Sequence, residues 1–153
     1  MMKRLLHLIL VLFVVQALYG AFVAGLRAGL GFNTFPLMDG RFMAEAATMM
    51  APGWINLFEN GAMVQFLHRW IGALLLLFVA FGWLHAMRSR TARTGWTILI
   101  LAVVVQFLLG VTTLLLYVPV DIASLHQAGA VVVMLCLTYL LFTAKPDTRL
   151  PLT

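Results

Sequence analysis

Long apolar runs dominate the chain, and polar residues gather in the stretches between them. Apolar residues predominate over positions of about 5–27, 62–87, 96–117 and 121–142. A membrane-spanning helix needs about 20 such residues, because each adds about 1.5 Å towards a hydrocarbon core of about 30 Å. The pattern therefore predicts an all-α integral membrane protein, with four transmembrane helices in one bundle.

The stretch of about 28–61, between the first two apolar runs, is different. Turn-forming residues recur along it at Gly29, Gly31, Pro36, Gly40, Pro52 and Gly53. This punctuation predicts an ordered loop outside the membrane. Within the loop, residues Arg41–Met50 are predicted to form a short amphipathic helix at the membrane surface, either as a lid over a site below or as ordinary loop packing.

Composition agrees with a single membrane domain over residues 1–153. The chain is 63% hydrophobic and 10% charged, and its mean hydropathy of +1.04 is far above that of soluble domains. A cleavable signal peptide after Lys3 and Arg4 is the alternative for the first run, which is long for that role. The single cysteine, Cys136, lies in an apolar run, so neither a disulfide framework nor a thiolate metal site is expected.

The net charge of +5 comes mainly from cations at the ends of the apolar runs, which is typical of residues that orient helices in a membrane. No nucleic-acid partner is expected. Four spans bring both termini to one side of the membrane. That side carries Lys3, Arg4, Arg88, Arg90, Arg93, Lys145 and Arg149, and the other side carries Asp39, Glu45, Glu59 and Asp121. The positive-inside rule predicts that both termini are cytoplasmic and that the long loop is outside.

Short motifs recur between the two halves of the chain. The first and third runs contain Gln16-Ala-Leu-Tyr-Gly20 and Gln106-Phe-Leu-Leu-Gly110, and the second and fourth contain Leu67-His68-Arg69 and Leu125-His126-Gln127. The order predicts two parallel helical-hairpin repeats, related by a pseudo-two-fold axis along the membrane normal. Chance similarity of such short motifs is the alternative.

His68 and His126 share a depth, about 8–10 Å below the outer ends of their helices, and Gly20 and Gly110 fall in the same layer. Ionisable residues inside a membrane are functional candidates by default. Alternate helices of a four-helix bundle lie on a diagonal, wider than the 8–10 Å or so between neighbours. A haem fits such a gap, with the two histidines as axial ligands of its iron and the glycines leaving room. Alternatively, the histidines only form hydrogen bonds between helices.

Two arginines near the outer surface are candidates to bind the haem propionates. Arg69 is the better candidate, although it is equally suited to reach the interface or to pair with Glu59. Arg27 is the second candidate, and its alternative role is to mark the membrane boundary.

The remaining polar residues of the helices have simpler interpretations. His7 and His85 lie near the cytoplasmic surface, where ordinary interfacial histidines are favoured over a second haem site. Gln16 and Gln106 are predicted to form interhelical hydrogen bonds.

Several motifs together resemble haem A synthase, an enzyme family of cytochrome oxidase assembly. They are Gly20-Ala-Phe-Val-Ala-Gly-Leu-Arg-Ala-Gly29, Asn33-Thr-Phe-Pro-Leu-Met-Asp-Gly40, Glu59-Asn60, Val64-Gln-Phe-Leu-His-Arg69, Leu109-Gly-Val-Thr-Thr-Leu-Leu115 and His126-Gln127. The resemblance covers nearly the whole chain. Members usually contain two four-helix halves, and this chain resembles the C-terminal half.

The resemblance implies that the chain takes part in the oxidation of haem O to haem A, with His68 and His126 ligating a haem b. It also implies an oxidoreductase of the bacterial inner membrane that needs self-association or a second four-helix half as partner, in addition to the lipid bilayer. The family's active half carries a glutamate three residues before the first histidine, where this chain has Gln65. Because Gln65 cannot act as a general base, no catalytic residue is assigned.

Two other functions fit the same residues. One is a small cytochrome b that carries electrons without synthase activity, which Gln65 favours. The other is a structural or assembly subunit whose histidines bind no haem.

Overall fold

The structure is a computed structural model that describes residues 2–144. Its helices are α1 (Met2–Gly25), α2 (Asn56–Glu59), α3 (Gly61–Ser89), α4 (Arg93–Leu115) and α5 (Val120–Thr143). Short 3-10 helices lie at Ala28–Leu30, Glu45–Thr48 and Gly53–Ile55. Within residues 2–144 there is no β-strand. Lys145 and Arg149, which the topology prediction uses, lie outside the described residues.

The helices α1, α3, α4 and α5 are each long and apolar enough to cross a membrane. Their most apolar windows have mean hydropathies of 2.3, 1.9, 2.7 and 1.8, in chain order. Their lengths of 24, 29, 23 and 24 residues exceed the 20 or so that a span requires. The prediction of an all-α integral membrane protein with four spanning helices is confirmed.

The helices end within three residues of their predicted limits. Left-handed backbone at non-glycine residues marks three of these limits, because it breaks a right-handed helix. Arg27 has a φ of 51°, so α1 ends before it, and Tyr117 and Val118 each have a φ of 60°, so α4 ends at Leu115. The left-handed Ala92, with a φ of 49°, directly precedes the start of α4.

The predicted surface helix over Arg41–Met50 is wrong. Only Glu45–Thr48 is helical, and it is a single 3-10 turn. The backbone of Arg41 instead exchanges two hydrogen bonds with Met38, at 2.7 and 3.2 Å, which closes a tight turn and turns this backbone away from a helical course.

The four long helices form a ring in the order α1, α3, α4, α5. Helix α3 contacts both α1 and α4, and α5 contacts α4 extensively and α1 over a shorter length. In this order α3 and α5 face each other across a diagonal of the bundle.

The closely packed apolar core fills only the half of the bundle that is remote from the loop. Its buried members include Leu6, Ile9, Phe13, Leu75, Val79, Trp96, Leu99, Val103, Val133 and Leu137. All of them come from the first part of α1 and α4 and the second part of α3 and α5. In the loop-side half the buried side chains of α3 include the polar residues Gln65 and Arg69, so the bundle interior changes from apolar to polar along its length.

Contact between α3 and α4 depends on a glycine. A Cβ on Gly82 would overlap the six-membered ring of Trp96, whose side chain is only 1% exposed. Gly82→Ala is therefore expected to lower the free energy of unfolding in detergent by about 1–3 kcal/mol, because a buried indole has to move. Gly25→Ala is the control, since a Cβ there meets no atom within 4 Å. Equal melting temperatures for the two variants would contradict this account.

Candidate functional site

His68 and His126 lie on the two helices that face each other across the diagonal. Each is two turns inside its helix, about 10 Å from the loop-side end. The structure thus places the two histidines that the sequence singles out at one depth, on opposite helices of the bundle.

The imidazole of His126 fits into a notch on α4 that Gly110 creates. Its Nδ1 lies 3.1 Å from the backbone carbonyl oxygen of Gln106, one turn before Gly110. A Cβ at Gly110 would lie 2.8 Å from His126 Cε1, so only glycine lets the ring reach that carbonyl. Because a carbonyl oxygen can only accept, Nδ1 carries the proton and Nε2 keeps its lone pair.

The side chain of Gln106 fits into a corresponding notch on α5. Its amide nitrogen donates to the backbone carbonyl of His126 at 2.7 Å. Its carbonyl oxygen lies against Gly129, where a Cβ would overlap it, and is buried without a hydrogen-bond partner. The His126 side chain thus bonds the backbone of α4 and the Gln106 side chain bonds the backbone of α5, so the two residues join the helices by reciprocal hydrogen bonds.

A matching set of four residues joins α1 and α3. The ring of His68 lies against Gly20, where a Cβ would be 3.1 Å from His68 Cε1. The amide nitrogen of Gln16 lies 3.4 Å from His68 Nε2 and 2.9 Å from the position of a Cβ on Gly72. The amide can only donate, so Nε2 of His68 also carries the lone pair, while its Nδ1 is buried without a partner.

These contacts give the glycines of the layer a different use from the predicted one. Gly20 and Gly110 were expected to leave room for a bound haem, whereas their open faces hold the imidazole rings themselves. The predicted interhelical hydrogen bonds of Gln16 and Gln106 are confirmed.

Arg69 and Gln65, which flank His68, bind the backbone of the outer loop. Both side chains are buried, with Gln65 3% and Arg69 9% exposed. The Gln65 amide nitrogen donates to the carbonyl oxygens of Ala28 at 2.8 Å and Gly31 at 2.6 Å. Its own oxygen accepts from the Arg69 guanidinium at 2.9 Å.

The other terminal N–H groups of Arg69 donate to three further loop carbonyls. Nη1 reaches Thr34 at 2.7 Å and Leu37 at 3.2 Å, and Nη2 reaches Phe32. With Gln65, these oxygens use all four terminal N–H groups, so the alternative of a pair with Glu59 is wrong. The Nε–H of Arg69 is buried without a partner.

The remaining predicted residues lie outside this cluster. Arg27 is exposed in the turn after α1. His7 is exposed and bonds the carbonyl of Lys3 at 2.7 Å, and His85 is near the other end of α3, so neither joins the histidine layer.

The sequence indicates Gln65 only as the residue that stands in place of a glutamate. Its binding of the loop was not predicted. The spacing of Gln65 and Arg69 by four residues puts them on one helix face, which was the available signal.

The chemistry of the layer is that of paired neutral nitrogen ligands. Each histidine holds its proton on Nδ1 and has a lone pair on Nε2. Among residues 2–144, no group of three or more His, Cys, Asp and Glu side chains is placed to hold a metal ion.

The notch at Gly110 can be tested on the protein alone. Gly110→Ala is expected to push the His126 ring off the Gln106 carbonyl, which removes the fixed Nδ1–H tautomer and costs about 1–3 kcal/mol of stability. Nitrogen-15 NMR spectra of histidine-labelled protein would report the tautomer, with Gly25→Ala as the control. An unchanged His126 signal in Gly110→Ala would show that the notch does not hold the ring.

Comparison with known proteins adds the family to this geometry. The family described as "Cytochrome oxidase assembly protein" matches residues 1–138. A "Heme A synthase" of Wolbachia pipientis wMel is 40% identical over 150 residues, which cover 98% of this chain and 42% of the relative. Those of Nitrosospira multiformis and Sinorhizobium fredii are 45% and 49% identical, over 85% and 78% of this chain and 35% and 33% of theirs.

The chain spans less than half the length of these relatives. No solved structure matches it. The resemblance to haem A synthase that the motifs carry is confirmed by the family match and by the identities. The chain therefore belongs to the cytochrome oxidase assembly protein family.

Proposed function

We propose that this chain is a haem-holding half of a haem A synthase, with a haem b ligated by His68 and His126. The observation that carries the proposal is the pairing of the two histidines, at one depth, on helices that face each other across the bundle. In both rings Nε2 carries the lone pair that ligates iron, and at His68 the Gln16 amide, which donates to it at 3.4 Å, would have to turn away for iron to bind. When bound, a haem at this position supplies one-electron transfer.

The surroundings of the two rings support the same assignment. Ligating histidines usually donate their second N–H to a carbonyl, which fixes ring and tautomer, and His126 does so to Gln106. The buried apolar core below the layer ends near Phe13 on α1 and Val103 on α4, about one turn below Gln16 and Gln106.

Arg69 and Arg27 are proposed to interact with the haem propionates. Arg69 has one donor left, the buried Nε–H, which adjoins His68 along α3. Arg27 is exposed at the loop-side end of α1, where a carboxylate at the membrane interface is accessible. Arg69 thus can donate one hydrogen bond to a propionate, and the positive charge of Arg27 can attract one.

The reaction in which the chain takes part is proposed to be the oxidation of haem O to haem A for cytochrome oxidase assembly. The relatives are haem A synthases, and the chain covers 42% or less of their length. A second four-helix half, or a second copy of this chain, is therefore proposed to complete the enzyme. The side chain at position 65 is an amide that donates to loop carbonyls, so this position supplies no acid or base beside His68.

A small cytochrome b that carries electrons without synthase activity is the second candidate. The same engagement of Gln65 favours it, because a site without an acid or base is better suited to hold a haem than to transform one.

We further propose that the bundle is a duplicated hairpin, in the bacterial inner membrane, with both termini in the cytoplasm. The corresponding glycine contacts support the duplication, since the His68 ring lies against Gly20 as the His126 ring lies against Gly110. The cations Lys3, Arg88 and Arg93 near the loop-remote ends of the helices support the orientation.

Haem ligation is tested by the optical spectrum of the detergent-purified, haem-loaded protein. Wild type is expected to give a low-spin bis-imidazole spectrum, and His68→Ala and His126→Ala are expected to lose it, because each removes one axial ligand. His7→Ala and His85→Ala are the controls and should keep the wild-type spectrum. A low-spin spectrum that survives in His126→Ala would refute the ligand pair.

Participation in haem A formation is tested by pigment extraction. Cells that lack the gene are expected to accumulate haem O and lose haem A, and the wild-type gene should restore haem A where His68→Ala does not. Unchanged haem A in the deletion strain would contradict the synthase proposal and leave the cytochrome b function.

A further inference from the structure

The first part of the outer loop, residues 28–39, reaches below the loop-side ends of the helices; we call it the strap. Arg69, which binds three of its carbonyls, is eight residues into α3, about 12 Å along the helix. Phe35 of the strap stacks edge-to-face on Phe107 of α4, with ring centroids 5.9 Å apart. Side chains that begin about 12 Å below the loop-side ends of α3 and α4 therefore contact the strap.

The strap also crosses the loop-side end of the bundle. The amide of Asn33 donates to the carbonyl of Leu114, at the end of α4, at 2.7 Å. Gly29 approaches the link between α4 and α5, where a Cβ would lie 2.9 Å from Val118 Cγ2. The strap therefore follows α1 in the chain and contacts α3, α4 and the link between α4 and α5.

Backbone carbonyls that are turned towards the protein interior need hydrogen-bond donors from the chain itself. Five strap carbonyls receive theirs from two side chains, with Gln65 serving Ala28 and Gly31 and Arg69 serving the other three. Within residues 2–144, the hydrogen bonds that the Arg69 guanidinium donates all go to neutral oxygens. The Gln65–Arg69 pair is therefore the main polar attachment of the strap to α3.

We propose that Gln65 and Arg69 form a latch that keeps the strap closed over the histidine layer and so retains the haem bound there. The retention rests on the proposed function, whereas the latch itself is a property of the protein without haem. The latch requires an amide at position 65, since the side chain has to donate to two carbonyls and accept from Arg69 at once.

A carboxylate at position 65 would keep the acceptor function of the side chain and remove its donor function. It keeps the shape of the side chain and still accepts from Arg69, but it cannot donate, and it would bring negative oxygen within about 3 Å of the carbonyls of Ala28 and Gly31. Gln65→Glu therefore breaks one half of the latch without removing the other. Gln65→Met removes both donors and adds no charge, so it serves if the charged variant folds poorly.

Hydrogen exchange read by mass spectrometry tests the latch in detergent-purified protein without haem. In Gln65→Glu and Gln65→Met, amides of the strap should exchange about tenfold faster than in wild type, while those of α4 and α5 stay unchanged. Arg41→Gln is the matched control: it removes a loop arginine that pairs only with Glu45 on the exposed side and should leave strap exchange at the wild-type rate. Wild-type exchange in both Gln65 variants would overturn the latch.

Haem transfer to excess apomyoglobin tests retention in the loaded protein. Both Gln65 variants should keep the low-spin spectrum of wild type and lose haem about tenfold faster, in step with the faster strap exchange. Faster strap exchange with an unchanged rate of haem loss would overturn retention. Failure of the wild type itself to take up haem would refute the haem assignment, and with it retention, while the exchange result would still decide the latch.

Discussion

The need to satisfy polar groups inside a membrane is the constraint on which the loop-side half of this protein depends. Buried carbonyls and imidazoles there need a donor or acceptor from the chain itself, and Nδ1 of His68 is left without one among residues 2–144. Arg69 and Gln65 meet this need for the strap, and the carbonyl of Gln106 meets it for His126. Buried polar residues in this half are thus placed by the groups they satisfy, and the loop and the histidines share one polar layer.

Much of the fold could be predicted from the sequence because membrane helices are specified locally. Length and hydropathy predict each span, and the constant rise per residue puts His68 and His126 at one depth. The helix ends shifted where Arg27 and Tyr117 adopt left-handed backbone, which residue types that usually avoid it do not signal. The roles of Gln65 and Gly110 could not be predicted, because they depend on which carbonyl or ring another segment brings to them.

The two histidine sites share a plan but differ in their surroundings. Each has a glutamine and a glycine on the neighbouring helix, at Gln16 and Gly20 or at Gln106 and Gly110. Only His68 has the strap-binding side chains beside it. At the position that corresponds to Gln65, α5 carries Ala123, which has no donor to offer. His68 therefore lies beside the side chains that bind the outer loop, whereas His126 is hydrogen-bonded to the α4 backbone.

The uneven filling of the bundle makes the histidine layer a one-sided site. Below it, the apolar side chains of Val79, Leu99 and Leu137 are fully buried. Moving a proton or a charged ligand through such packing costs free energy, because nothing there replaces its hydration. The loop side and the lipid-facing sides of the bundle are therefore the less costly approaches to the layer.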